Sequence, residues 1–124
     1  MLESADVEAL FRPTAEAVGL PARAYTCEEF AHEEYRELFA RTWMCAGYAH
    51  EIPDIGDVIP RTVAGAPLLF TRTKSGDIRC FHNICTHRGT KLVSEEAKQQ
   101  QALRCRYHGW TFDLEGNLRV TPHW

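Results

Sequence analysis

Two short runs in this sequence pair a thiol with an imidazole. Cys85-Thr86-His87 sets them two positions apart, and Cys105-Arg106-Tyr107-His108 sets them three apart after seventeen intervening residues, Arg88 to Arg104. Each run is short enough to present both side chains from one tight loop, and the gap between runs lets the chain travel out and return. Two Cys and two His also make a tetrahedral zinc set, but zinc fingers of that composition group cysteine with cysteine and histidine with histidine. Mixed loops suit a two-iron cluster in which one iron takes both thiolates and the other both imidazoles. Neutral imidazoles lower the cluster's negative charge and ease the addition of an electron, giving potentials of ~−150 to +300 mV rather than ~−400 mV. The second nitrogen of each ring stays free of metal, where it can titrate with redox state and hydrogen-bond to an electron partner.

Gly89 and Gly109 stand directly behind the two runs. Glycine lets the backbone turn closely around a cluster and aim N–H groups at its sulfurs. Trp110 reads as a core aromatic of the following hairpin, and Tyr107 as either a shield over the cluster or a core residue. Arg88 receives no role. The remaining candidates, Cys27, Cys45 and Cys80 with His32, His50 and His123, read as structural residues, since cysteine is commonly buried as a small hydrophobe. An odd number of cysteines, five, argues for thiols or metal ligands over a disulfide framework.

The elements that must hold these loops follow from periodicity. Val7, Leu10 and Phe11 predict one or two helical turns in an N-terminal arm. Thr26 as N-cap with Glu29 three residues on predicts a capping box, followed by Ala31, Tyr35, Leu38 and Phe39 at helical spacing, hence a helix from about Cys27 to Thr42. Residues 1–43 therefore read as an arm and helix, and 44–124 as a β-rich domain. Ile59 and Val63, Leu68 to Phe70, and Ile78 to His82 predict a three-stranded meander turning at Ala64-Gly65-Ala66-Pro67 and Lys74-Ser75-Gly76-Asp77. Trp110 to Leu114 and Leu118 to Thr121 predict a hairpin around Glu115-Gly116-Asn117, with Gly116 at positive φ. Ser94 to Gln101 is polar and reads as a solvated loop. The fold class is mainly β with an N-terminal helix, an α+β arrangement.

At 124 residues, 44% apolar and 25% charged, the chain is an ordinary globular domain in composition. A net charge of −3 with no Lys or Arg cluster gives no general attraction to nucleic acid or anionic lipid. No apolar run approaches the ~20 residues of a membrane span, and the start lacks a secretory core, so the chain reads as cytoplasmic.

Cys85-Thr86-His87-Arg88-Gly89 and Cys105-Arg106-Tyr107-His108-Gly109-Trp110, with the downstream turn Asp113 to Asn117, resemble the two cluster-binding loops of a Rieske [2Fe–2S] domain. The resemblance implies an antiparallel β-sandwich, with Cys85 and Cys105 on the buried iron and His87 and His108 on the iron nearer solvent. High-potential respiratory Rieske proteins carry an extra disulfide-forming cysteine in each loop. Here Thr90 and Arg106 stand where such cysteines would be sought, so the chain is similar to the lower-potential group of soluble ferredoxins and oxygenase large subunits. Its helix ending Leu38 to Trp43, leading into Glu51 to Asp57, resembles the approach to the Rieske domain of ring-hydroxylating oxygenase α subunits, including those acting on choline- or carnitine-like quaternary amines. The resemblance implies an electron relay from NAD(P)H through a reductase or ferredoxin to the cluster, then to mononuclear Fe(II) in a neighbouring subunit of a trimer. That iron belongs to a catalytic domain that the sequence does not contain, and the last Rieske strand also reads as missing, so no residue here takes an oxygen-activating role. The alternatives are a stand-alone Rieske ferredoxin and a structural zinc module.

Overall fold

Leu69 and Thr71 lie two apart on one face of an extended run, and both are wholly buried. They belong to the middle strand of an antiparallel sheet in the computed structural model, which describes residues 2–122. The strands are β1 (Val58–Val63), β2 (Ala66–Arg72) and β3 (Ile78–His82), in the order β1-β2-β3. The two-residue turn between β1 and β2 puts Ala64 and Gly65 both at positive φ, +47° and +75°, the backbone twist that suits a tight hairpin. The predicted meander is thus present, with Val58 opposite Thr71 and Leu69 opposite Phe81.

A second sheet contains β4 (Leu103–Arg104), β5 (Thr111–Phe112) and β6 (Leu118–Val120), again antiparallel and in sequence order. Its strands are shorter than the sequence pattern predicts, and a register shift interrupts β5 between Thr111 and Phe112. Gly116 closes the β5–β6 hairpin at φ +90°, and it is glycine for a second reason: a Cβ there would stand 2.5 Å from Cε1 of Phe81 on β3. The turn of one sheet therefore rests against a strand of the other. The Thr71 hydroxyl donates to the carbonyl of Leu114 at 2.7 Å, a second tie between them.

The core consists of Val58, Leu69, Cys85, Leu103, Cys105, Phe112 and Leu114, with Leu92, Val93, Ala97 and Trp110 packed against it. Each large apolar side chain buried there contributes about 1.5–3 kcal/mol. Two of the core members are Cys85 and Cys105, the cysteines of the two Cys–His runs.

Ser94 to Gln101 is polar but is not a free loop. Val58 and Ala97 exchange both backbone hydrogen bonds at 2.9 Å, Gln100 N–H donates to Gly56 at 2.8 Å, and Lys98 Nζ reaches the buried Asp57 carboxylate at 2.9 Å. Burial raises the Asp57 pKa, but the Lys98 ammonium, the Asp54 N–H and the Arg72 charge outweigh it, holding the carboxyl below its ordinary value.

The chain divides into two units, Met1–Met44 and Cys45–Trp124. The first contains α1 (Ser4–Leu10), α2 (Arg23–Thr26) and α3 (Glu28–Glu34), with Arg23 ion-paired to Glu3 and Asp6. The helix predicted over Cys27 to Thr42 is corrected in two respects. Thr26 does not cap it: Thr26 ends α2, its hydroxyl donates to the carbonyl of Ala22 just ahead of that helix, and the extended Cys27 precedes α3 without a side-chain cap. After Glu34 the coil also widens into a π-helix over Tyr35–Phe39, where Ala40 N–H donates to Tyr35, five residues back. Among the described residues no helix is long and apolar enough to cross a membrane.

Candidate metal centre

Both cysteine runs fold into the same backbone frame. In loop 1, Cys85 N–H donates to the Thr90 carbonyl at 2.7 Å and Gly89 N–H donates back to Cys85 at 2.8 Å. In loop 2, Cys105 N–H donates to Trp110 at 2.8 Å and Gly109 N–H donates back to Cys105 at 3.0 Å. Each ring is closed by a glycine at positive φ, +68° for Gly89 and +74° for Gly109, a conformation strained for any residue with a Cβ. Sequence reasoning places glycine behind both loops; the structure adds that the loops are equivalent from Cys to the fifth residue after it.

This frame turns successive backbone N–H groups inward. Those of His87 and Arg88 donate to the Cys85 sulfur, and those of Tyr107 and His108 to the Cys105 sulfur. The two thiols also hydrogen-bond each other, at 1% and 3% exposure. Burial pushes the Cys85 thiol above its ordinary pKa. Burial acts on Cys105 in the same sense, but there the loop N–H groups, the Cys85 thiol and the Thr90 hydroxyl prevail, and the thiol lies below its ordinary value. Thiolate is the form that ligates iron, so the inward donors favour the metal-binding state.

The imidazoles of His87 and His108 meet edge to face, ring centroids 4.8 Å apart. Trp110 lies almost parallel to His87 at 4.7 Å and 10°, and Tyr107, 57% exposed, lies 3.8 Å from His108. Trp110 is thus both packed on the core and stacked on a candidate ligand, while the exposed Tyr107 packs against the other ring. The four side chains singled out from the sequence come together as two pairs across the loops, Cys85 with Cys105 and His87 with His108. Two buried thiols and two adjoining imidazoles match in number and chemistry a cluster that asks two donors of each iron. Among the described residues no three Cys, His, Asp or Glu side chains converge to hold a single ion.

The other cysteines and histidines lie outside the two loops. Cys45 and Cys80 are exposed rather than buried small hydrophobes, and Cys27 is half-buried with its sulfur 3.0 Å from Glu29. His50 stacks on Tyr48 with centroids 5.5 Å apart, and His123 lies outside the described residues. One supporting residue escaped the sequence reading. Buried Asn83, directly after β3, donates to the Val93 carbonyl at 2.7 Å and accepts from the Val93 N–H at 3.0 Å, clamping both ends of loop 1. Its position just ahead of the first cysteine was the only signal.

The sequence profile of the Rieske [2Fe–2S] domain matches residues 42–124. The chain belongs to the Rieske family. Such a domain carries a [2Fe–2S] cluster. The Rieske chain is 36% identical over 103 residues to the oxygenase subunit of carnitine monooxygenase from Escherichia coli, covering 83% of this chain and 28% of that protein. It is 34% identical over 120 residues to the α subunit of benzene 1,2-dioxygenase from Pseudomonas putida, covering 97% and 26%. Among solved structures, a quaternary ammonium Rieske monooxygenase superposes with a TM-score of 0.80 at 34% identity, covering 86% of this chain and 29% of that one. The Rieske chain thus spans little more than a quarter of the length of these relatives, and it is homologous to oxygenase α subunits of both mono- and dioxygenase types.

Proposed function

We propose that this chain is the electron-transfer domain of a Rieske-type oxygenase, with Cys85 and Cys105 ligating one iron of the [2Fe–2S] cluster and His87 and His108 the other. The cluster domain runs over residues 44–124, behind an arm and helix at 1–43. The observation that carries the reading is the pair of equivalent loops that face two buried thiols and two imidazoles towards each other. Bound there, the cluster supplies one-electron chemistry. The chain's own groups do the rest. The N–H groups of His87, Arg88, Tyr107 and His108 hold negative charge on the two cysteine sulfurs. The core packed around Cys85 and Cys105 keeps water from the thiolate side. The imidazoles present their outer edges for proton and hydrogen-bond exchange with a protein partner.

The electron donor in this reading is a reductase or ferredoxin fed by NAD(P)H. The acceptor is a mononuclear Fe(II) site in a neighbouring subunit of a homotrimer, and the compartment is the cytoplasm. The organic substrate is an aromatic ring or a quaternary amine, the two classes named among the relatives. A stand-alone ferredoxin is disfavoured because the match to the benzene dioxygenase α subunit takes in 97% of the chain, the N-terminal helices included.

The test is an EPR spectrum of the anaerobically reconstituted, dithionite-reduced chain, with iron and sulfide analysis alongside. The expected result is two irons, two sulfides and a signal of low average g, the mark of mixed His and Cys ligation. A colourless, EPR-silent protein holding one zinc ion would overturn the reading.

A further inference from the structure

Arg88, Lys91, Arg104 and Arg106 lie in or beside the two loops, and all four are exposed. Among the described residues none of their charged groups has an ion pair or a hydrogen bond. The rest of the Cys45–Trp124 unit treats its cations differently. Arg61, Arg79, Lys98 and Arg119 each pair with a carboxylate, and Arg72 is held by the carbonyls of Ile52, Gly76 and Ala49. Only the Lys74 ammonium is likewise unpaired. The sequence spreads the four loop cations over two separate runs, and the fold brings the runs together. Arg88 follows His87, Arg106 stands two before His108, and those imidazoles lie 4.8 Å apart. The Arg104 guanidinium lies along loop 2, where a Cβ on Gly109 would stand 3.4 and 3.5 Å from its Nη2 and Nε. Arg104, Arg106, Tyr107 and His108, with Gly109 and Pro122, line an open hollow of about 520 Å³.

We infer that this cationic rim is the docking face for an acidic electron-transfer protein, whose surface carboxylates supply the partners that the four cations lack within the chain. The inference rests on the cluster assignment proposed above and names the chemistry of the donor's face. The field is local: the whole chain carries a net charge of −3, so the rim orients an incoming acidic protein rather than attracting one from every side. Unpaired exposed cations also suit a transient contact better than a permanent one. Transient redox contacts are small and wet, and the charges there keep much of their hydration. A permanently buried interface must pair each cation or bear its desolvation. Complementary charge raises the rate of encounter by about 10–1000-fold. Glu95 and Glu96 bound the rim, lining a cleft with Arg104 and Arg106 but pairing with neither among the described residues. One electron passes from the partner's reduced iron–sulfur centre to the oxidised cluster, and no bond forms or breaks.

The experiment uses the reconstituted full chain with an acidic plant-type [2Fe–2S] ferredoxin as probe. Stopped-flow reduction across a salt series gives the second-order rate constant, and calorimetry with both proteins oxidised reads binding with no electron moving. Arg88→Gln, Arg104→Gln and Arg106→Gln combined are expected to slow reduction about tenfold at low salt, to flatten its salt dependence and to weaken binding in the same sense. Glu95→Gln with Glu96→Gln is expected to act in the opposite direction. The methyl viologen radical cation, a reductant of the other charge, separates the rim's field from damage to the cluster, and it is expected to reduce the arginine variant at least as fast as wild type. Equal slowing with both reductants overturns the inference, because losing a positive field cannot slow a cation. Wild-type rates and affinities in the arginine variant overturn it as well. Absence of a mixed-ligand cluster in the wild-type chain is a separate result that sinks the ligand assignment instead.

Discussion

Replacing Thr71 with Val tests the tie between the two sheets. Thr71 has no exposure, sits next to the end of β2 opposite Val58, and gives its hydroxyl proton to the Leu114 carbonyl at 2.7 Å. Val has the same β-branched shape, so packing is unchanged and only the hydrogen bond is lost. Among the described residues no other donor serves the Leu114 carbonyl, and residue 114 is itself 1% exposed, so water cannot replace the hydroxyl. An unsatisfied buried acceptor costs about 1–3 kcal/mol. For a unit the size of Cys45–Trp124, a loss of ~2 kcal/mol lowers the melting midpoint by about 8–16 °C. Thermal unfolding of wild-type and variant protein at equal cluster occupancy, followed by far-ultraviolet circular dichroism, measures this directly. A Thr71→Val midpoint within 2–3 °C of wild type, roughly the scatter of a neutral surface change, would refute the claim that this bond holds the sheets together.

Four further outcomes are expected. His108→Cys should keep a cluster at a lower potential, because an anionic ligand replaces a neutral one; redox titration checks this, and an unchanged potential argues against histidine ligation. Cys85→Ser should abolish the cluster's visible absorption and destabilise the β-rich unit with it, since metal binding and folding are linked. Burial raises the Asp57 and Asp113 pKa values, but Lys98 acting on one and Asn117 and Arg119 on the other bring both below ordinary. Their stabilisation is therefore full above the unfolded carboxyl pKa of about 3.9 and is lost as pH falls through the lower folded values, and Asp57→Asn should flatten that acid limb in a stability-versus-pH series. Gly116→Ala should lower stability by about 1–3 kcal/mol, since it combines a strained φ with an approach to the Phe81 ring; a midpoint equal to wild type would show that the turn can withdraw from β3.

The metal centre was legible because its information is local. Donor type and spacing in Cys85-x-His87 and Cys105-x-x-His108 identify the chemistry without reference to the rest of the fold, and the glycines mark where each loop must reverse. The β-meander was legible for the same reason, its turns being encoded by Gly65 and Gly76. The errors arose where a group had a choice of partners. Thr26 has the composition of an N-cap, yet its hydroxyl finds the Ala22 carbonyl one turn back, and nothing in the pattern says which acceptor prevails. Ser94 to Gln101 is the exposed loop its polar side chains predict, with Ala97 half-buried, but the Val58–Ala97 bridge that fastens it left no signal because it is made by backbone groups common to every residue. Asn83 was missed because an amide aimed at a loop from outside has no spacing signature of its own.

The distribution of contacts along the chain also sets an order of assembly. β1, β2 and β3 pair through short turns, whereas the Thr71–Leu114 tie to the hairpin of the second sheet joins residues 43 positions apart, and the Asp57–Lys98 tie to the loop ahead of that sheet spans 41. Contacts of low sequence separation form sooner than those that must first close a long loop. Cys85 leaves the early sheet and Cys105 belongs to the late one, so a nascent chain holds only half its donors until the sheets dock. On the ligand assignment proposed above, iron supplied before the sheets dock would meet only the donors of loop 1, so docking of the two sheets and completion of the cluster site would be one event.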